Sequence, residues 1–166
     1  MEKPLLIFLD VDGVMAPIQK VFHPPEDSYH KEAIREINRL CEKTGAEVVI
    51  TSSRLRLQHP DMFVNGLKKA GFIGTFHSPP TLPRSPWNLF CRGHDIEQFM
   101  ALHEPTRELN SILIIDNNSA GYSKEQIDQL VQTKSHKGFS ERNCEEALKK
   151  LGLENRLDEL SPVRPR

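Results

Sequence analysis

The sequence predicts an α/β fold with a central parallel sheet. Two observations point there. Short apolar runs alternate with stretches of helical period along most of the 166 residues. The clearest apolar runs also end in polar residues: 5–9 runs into Asp10, 48–50 into Thr51, and 112–115 into Asp116. In a parallel sheet, ligands bind outside the carboxyl ends of the strands.

The elements follow in order. Residues 5–10 form the first strand. Residues 29–44 form a helix with Ile34, Ile37, Leu40 and Cys41 on one face and Gly45 as its stop. Residues 47–51 make a second strand on Val48-Val49-Ile50. Pro60 suits the first position of a helix that Gly71 closes. Residues 72–76 read as a short third strand. Residues 78–88 carry Pro79, Pro80, Pro83 and Pro86 and read as a loop, since proline donates no hydrogen bond to a helix or a central strand. A helix resumes near Gly93 and runs to His103. Residues 111–116 are the strongest strand. Ser123 caps a helix through about Gln129, 130–133 form a brief strand, and 140–151 a last helix. One domain over 1–152 and a tail over 153–166, ending in proline and arginine, account for the chain.

At 37% hydrophobic and 27% charged, with a formal net charge of -1, the composition is that of a soluble globular domain. It argues against a dedicated duplex nucleic-acid binder, which carries a basic face. Cys41, Cys91 and Cys144 are far apart and show no C-x-x-C spacing, which fits free thiols in a reducing compartment. The N-terminal apolar run is too short for a signal-peptide core or a membrane span, so a cytoplasmic location is expected, with delivery by a route that leaves no N-terminal signature as the alternative. The seven histidines show no metal-ligand spacing and read as surface or loop residues.

The chemistry concentrates at Asp10-Val11-Asp12-Gly13. A carboxylate at a strand end can attack phosphorus, splitting one hard displacement into two easier ones through an acyl phosphate. A second carboxylate two residues on can protonate the leaving oxygen and later activate water. Attack by an anion on a phosphodianion calls for a divalent cation, and magnesium takes one or two carboxylates with substrate oxygens and water. Asp10 and Asp116 would supply those carboxylates. A turn at a strand end also favours Asp and Gly. A calcium loop fails, because Met15, Pro17 and Ile18 stand where oxygen ligands would be needed.

Phe8-Leu9-Asp10-Val11-Asp12-Gly13-Val14 resembles the first motif of the haloacid-dehalogenase-like (HAD) superfamily. Ile50-Thr51-Ser52-Ser53-Arg54 resembles its second motif and Ile114-Ile115-Asp116-Asn117 its fourth, in the expected order. Arg92-Gly93-His94-Asp95-Ile96, and the stretch from Leu130-Val131-Gln132-Thr133 through Gly138-Phe139, are similar to a narrower group. That group is the HAD domain of bacterial Swiss Army Knife RNA repair proteins and their stand-alone relatives. The resemblance spans about 5–151 and implies a Rossmann-like three-layer α/β/α fold around a parallel sheet.

It implies Asp10 as nucleophile and Asp12 as general acid/base, with Asp12 marking phosphoryl rather than dehalogenase chemistry. Thr51 or Ser52 would donate its hydroxyl to the transferring phosphoryl group: Ser52 aligns better with Arg54, while strand length alone allows Thr51. Arg92 takes the place of the third-motif cation, against the alternative of an ordinary salt-bridged arginine; Lys68 and Lys69 are weaker candidates. Magnesium would sit among Asp10, Asp12, Asp116 and Asn117. Asn117 departs from the family's pattern, in which a further acid is common, so the site loses one negative charge.

The segment after Gly13, with Pro17, Phe22, His23, Pro24 and Pro25, is a flap rather than a cap domain, and the 78–88 loop with Trp87 and the nearby Phe90 is the other candidate lid. An essentially capless site admits a macromolecular end as readily as a small phosphorylated molecule, and RNA is the partner the resemblance suggests. Stacking of Trp87 or Phe90 on a base stands against simple local packing. Two functions follow: a magnesium-dependent phosphatase acting through an aspartyl-phosphate, or a catalytically weak domain that binds phosphate or a protein.

Overall fold

A computed structural model describes residues 3–18, 28–56, 58–83 and 92–154. Five parallel strands form the sheet: β1 (Leu6–Leu9), β2 (Glu47–Ile50), β3 (Thr75–Thr81), β4 (Ile112–Asp116) and β5 (Leu130–Gln132), in the order β3-β2-β1-β4-β5. The helices are α1 (Lys31–Thr44), α2 (Pro60–Lys69), α3 (Arg92–His103), α4 (Lys124–Asp128) and α5 (Glu141–Lys150). The predicted Rossmann-like α/β architecture is the one observed.

The inner strands β1, β2 and β4 are buried on both faces, as a helix-covered parallel sheet requires. Ile7, Leu9, Val48, Ile50, Leu113 and Ile115 pack on one side with Ile34, Ile37 and Leu40 of α1, Phe63 and Leu67 of α2, and Ala147 and Leu148 of α5. Leu6, Phe8, Val49, Ile112 and Ile114 face Ile96 and Phe99 of α3 on the other, where Phe8 meets Phe99 edge-on at 5.6 Å. The apolar face of α1 and its stop are as read from the sequence: Gly45 adopts φ 65° and its N–H bonds the Cys41 carbonyl. Ser123 caps α4 in a reciprocal capping box with Gln126.

The third strand differs from expectation. It begins at Thr75, three residues later than read, and runs through Pro79 and Pro80 to Thr81. Two features make room for the prolines. β3 lies at the sheet edge, and its register with β2 slips between Val48↔Phe76 and Ile50↔Thr81, so they fall in an irregular stretch of the ladder. Phe72, expected to open the strand, instead packs edge-on against Phe76 at 5.0 Å.

His77 is a second correction. It is not a surface residue but 8% exposed within β3, with Nε2 3.2 Å from Glu104 Oε1. Cys41 and Cys144 are buried free thiols, while Cys91 lies outside the described residues. So do Phe22, His23, Pro24 and Pro25 of the flap, Trp87 and Phe90 of the candidate lid, and residues 155–166 of the tail. Among the described residues no helix is long and apolar enough to cross a membrane.

Candidate active site

The chain leaves β1 for β2 and β3 on one side, then crosses to β4 on the other. The carboxyl ends of β1 and β4 therefore flank the point where strand order reverses, the place such sheets bind ligands. Leu9 pairs with Ile50 and with Ile115, so Asp10, Thr51 and Asp116 fall in one row across three strands. Main-chain bonds continue that row: Asp10 N–H to the Ile115 carbonyl and Thr51 N–H to the Leu9 carbonyl, both at 2.9 Å.

Past Asp10 the chain turns back sharply. The Val11 carbonyl accepts from Val14, Met15 and Ala16, and Gly13 takes φ +77°, a conformation that favours glycine. The β5 side braces this turn, with Thr133 Oγ1 donating to the Gly13 carbonyl at 2.8 Å and Phe139 N–H to the Val14 carbonyl at 2.7 Å. The turn carries Asp12 beside β2, where its Oδ2 lies 2.9 Å from Arg54 Nε.

Arg92 arrives from the other direction, as the first residue of α3. Gly93 fixes its approach: a Cβ there would meet Gln126 Oε1 at 2.3 Å and the Gly121 carbonyl at 2.5 Å. The Gly93 carbonyl accepts from Gln126 Nε2 at 2.9 Å, and its N–H bonds the Gly121 carbonyl at 3.0 Å. So anchored, Arg92 reaches between Asp10 and Asp116, with Nη1 2.8 Å from Asp10 Oδ2 and also against Asp116 Oδ2. Tyr122 Oη donates to the same Asp116 oxygen at 2.6 Å, and the Asn118 N–H to Asp116 Oδ1 at 2.9 Å.

The Asn117 amide closes the floor. Its inner atom lies 3.1 Å from Asp116 Oδ1, 3.2 Å from Asp10 Oδ2 and 3.1 Å from the Asp12 main-chain carbonyl, and Ser135 Oγ is 3.0 Å from its outer atom. Only the amide nitrogen suits an inner position facing three acceptors, so it donates inward and the amide oxygen accepts from Ser135.

Burial dominates the electrostatics. It pushes the Asp10 carboxyl well above the usual range; Arg92 opposes this and the charge of Asp116 adds to it. Burial also raises Asp12, against the pull of Arg54. Burial alone would lower Arg92, but the flanking Asp10 and Asp116 outweigh it and hold the guanidinium charged. Burial, with Asp116 alongside, raises the Tyr122 hydroxyl far out of the range in which it would ionise.

Asp10, Asp12, Thr51, Ser52, Arg92, Asp116 and Asn117 meet here; Lys68 and Lys69 do not and are exposed on α2, with Lys68 Nζ 5.9 Å from the centre of the Phe76 ring. Within the site, Thr51 Oγ1, Asp10 Oδ1 and Asp12 Oδ1 are buried with no hydrogen-bond partner among the described residues, whereas Ser52 Oγ accepts from Arg54 N–H at 3.2 Å. The Asp12 carboxylate turns to Arg54, and it is the Asp12 main-chain carbonyl that faces Asp10 and Asp116.

Among the described residues no three His, Cys, Asp or Glu side chains gather as metal ligands. The convergence on the Asn117 amide nonetheless fits a hard cation. Two carboxylates and a main-chain carbonyl already surround one point, and the amide can offer an oxygen in place of its nitrogen. Arg54, Tyr122 and Ser135 were not among the candidates. Arg54 was visible beside Ser52 and Ser53, but the signal for Tyr122 and Ser135 lies only in loop paths that bring them back to Asp116 and Asn117.

A family model for the HAD domain in Swiss Army Knife RNA repair proteins matches residues 6–144. No curated protein matches the chain.

Proposed function

The chain belongs to the family of HAD domains found in Swiss Army Knife RNA repair proteins, and from that premise we propose that it is a magnesium-dependent phosphomonoesterase working through an aspartyl-phosphate. The observation that carries this reading is the division of labour within Asp10. One carboxylate oxygen is held by Arg92, and the other is buried, has no hydrogen-bond partner among the described residues and is free to attack.

Asp10 Oδ1 bonds to phosphorus as the ester P–O bond breaks, and protonated Asp12 gives its proton to the departing alcohol oxygen. Asp12, now a carboxylate, takes a proton from water, whose oxygen attacks the phosphorus of the aspartyl-phosphate. Inorganic phosphate leaves and Asp10 is restored. The unpartnered Thr51 Oγ1 donates to a phosphoryl oxygen, which favours Thr51 over Ser52 for that role.

Charge explains the need for a cation. With Asp12 protonated for the first step, Asp10 and Asp116 only balance Arg54 and Arg92, and no positive charge is left to offset a phosphate dianion. A divalent ion held by the Asp10 and Asp116 carboxylates, the Asp12 carbonyl and the Asn117 amide oxygen would make the site positive and neutralise the phosphoryl oxygens. The natural substrate, on this reading, is a phosphorylated end of a nucleic acid.

The second reading, phosphate binding without turnover, draws support from one observation. Arg92 already stands between the two carboxylates and offsets one of their two charges. Phosphate release from an aryl phosphate and from RNA bearing a 3′- or 5′-phosphate separates the two. Release that needs magnesium and disappears in Asp10→Asn is the expected result. No release from any of them with magnesium present would leave the binding reading.

A further inference from the structure

The mechanism leaves Arg54 with no partner equal to its capacity. It sits in the short 3-10 turn Ser53–Arg56 after β2, and its side chain is only 11% exposed. Its guanidinium lies over the Phe63 ring, 5.5 Å from the centroid. Among the described residues its ionic neighbour is Asp12, with Nε 2.9 Å from Oδ2, a pairing that pulls the Asp12 carboxyl down against its burial. Nη1 and Nη2 are buried, and neither has a hydrogen-bond acceptor among the described residues.

A guanidinium carries five N–H donors, and leaving buried donors unmade is costly. Arg92, by contrast, is engaged by Asp10 and Asp116. Two arginines at one sheet edge thus stand in different states. Arg54, engaged only at Nε, keeps the two Nη ends of a planar fork that lies over an aromatic ring, and such a fork binds phosphate through two parallel hydrogen bonds.

Its position says which phosphate. Arg54 lies on the Asp12 side, where the leaving oxygen takes its proton, while Asp10 and Arg92 hold the reacting phosphoryl group. An anion reaching Arg54 is therefore carried by the leaving alcohol. We propose that Arg54 is a specificity-determining residue that binds a second phosphate of the substrate, one ribose away from the ester being cleaved. In a nucleic-acid end that group is the neighbouring phosphodiester; in a free nucleotide it is the other phosphate of a nucleoside 3′,5′-bisphosphate.

This inference rests on the hydrolase reading for its chemistry, but binding tests it separately. Calorimetry on Asp10→Asn compares adenosine 3′,5′-bisphosphate with adenosine 3′- and 5′-monophosphate. The bisphosphate binds at least tenfold more tightly than either monophosphate. Adding Arg54→Gln removes that preference, and Arg54→Lys keeps part of it. In turnover with magnesium, Arg54→Gln lowers kcat on every substrate because Asp12 loses its ionic neighbour, and in addition it raises KM for the bisphosphate and for a phosphorylated dinucleotide about tenfold more than for phenyl phosphate. Phenyl phosphate, which has no second anion, keeps its KM and so reports that the variant folds. Equal affinity for the three nucleotides in Asp10→Asn overturns the proposal. So does an Arg54→Gln variant that loses kcat equally on every substrate while keeping its preference, since Arg54 would then serve only to orient Asp12. A preference for the dinucleotide without one for the bisphosphate identifies the phosphodiester as the group read. If nothing is hydrolysed, the hydrolase reading fails and the calorimetric comparison still decides Arg54.

Discussion

Arg92 sets a single guanidinium nitrogen 2.8 Å from Asp10 Oδ2 and holds the same nitrogen against Asp116. The two carboxylates are 1% and 0% exposed, so each depends on that positive charge for compensation. Arg92→Met removes the charge and keeps much of the volume. It should lower stability by about 3–5 kcal/mol in metal-free buffer, the range for breaking one partner out of a buried ion pair. Magnesium should then stabilise the variant more than it stabilises the wild type, because only in the variant are the carboxylates otherwise uncompensated. Urea denaturation with and without magnesium measures both quantities. An equal gain from magnesium in the two proteins would show that cation and guanidinium do not share these carboxylates.

Much of this row was legible in the sequence, for a physical reason. An apolar run long enough for a buried strand, ended by an acid or a hydroxyl, marks the carboxyl end of a parallel strand, and Asp10, Thr51 and Asp116 each follow such a run. What the sequence withheld is pairwise geometry between distant segments. That Arg54 meets Asp12 depends on β1 and β2 being neighbours and on the turn at Gly13. That Tyr122 returns to Asp116 depends on a loop with no periodic signal. Pro79 and Pro80 argued for a loop until the slipped register at the sheet edge gave them a place in a strand. His77 looked like a surface residue because its partner Glu104 lies 27 positions away.

Asp12 and Asp10 should separate by leaving group. An activated aryl phosphate needs little help in departing, whereas a ribose phosphate needs a proton on its leaving oxygen. Asp12→Ala should therefore slow the first step on the ribose ester far more, by about 10²–10⁴-fold. It should also let the phosphorylated Asp10 accumulate, since no base remains to activate water. Rapid quench and intact mass measure the two effects. Equal slowing of both esters with no phosphorylated protein would reduce Asp12 to a structural turn residue.

Gly13 couples the loop to the site. A Cβ there would lie 2.8 Å from Asn117 Cγ, on a backbone with φ +77°. Gly13→Ala combines backbone strain with a steric push on Asn117, and a loss of roughly 1–3 kcal/mol is expected. Adding Asn117→Gly removes the clash but not the strain, so the double variant should recover part of the loss relative to the sum of the single ones. A double-mutant cycle by urea denaturation measures this coupling. Strict additivity would mean that the loop moves away from Asn117 instead of pressing on it.

The last prediction concerns the opposite end of the sheet, where Glu104 is 9% exposed and follows α3. Burial alone would raise its pKa. Hydrogen bonds from Lys3 Nζ at 2.7 Å, Arg107 Nε at 3.2 Å and His77 outweigh that effect and bring it down to about 2. A carboxyl with a folded pKa below its unfolded value, 4.5 for this residue type, stabilises the fold above that value. The contribution is complete by about pH 5 and is lost as pH falls toward 2. Lys3 is half exposed, so the effect should be smaller than full linkage would give, roughly 1–3 kcal/mol. Glu104→Gln cannot ionise, and its stability should fall less steeply between pH 5 and 2. Far-ultraviolet circular dichroism during urea unfolding, repeated across that interval, reads the two slopes. Parallel curves for wild type and variant would mean that the Lys3–Glu104–Arg107 cluster adds nothing to the acid stability of the fold.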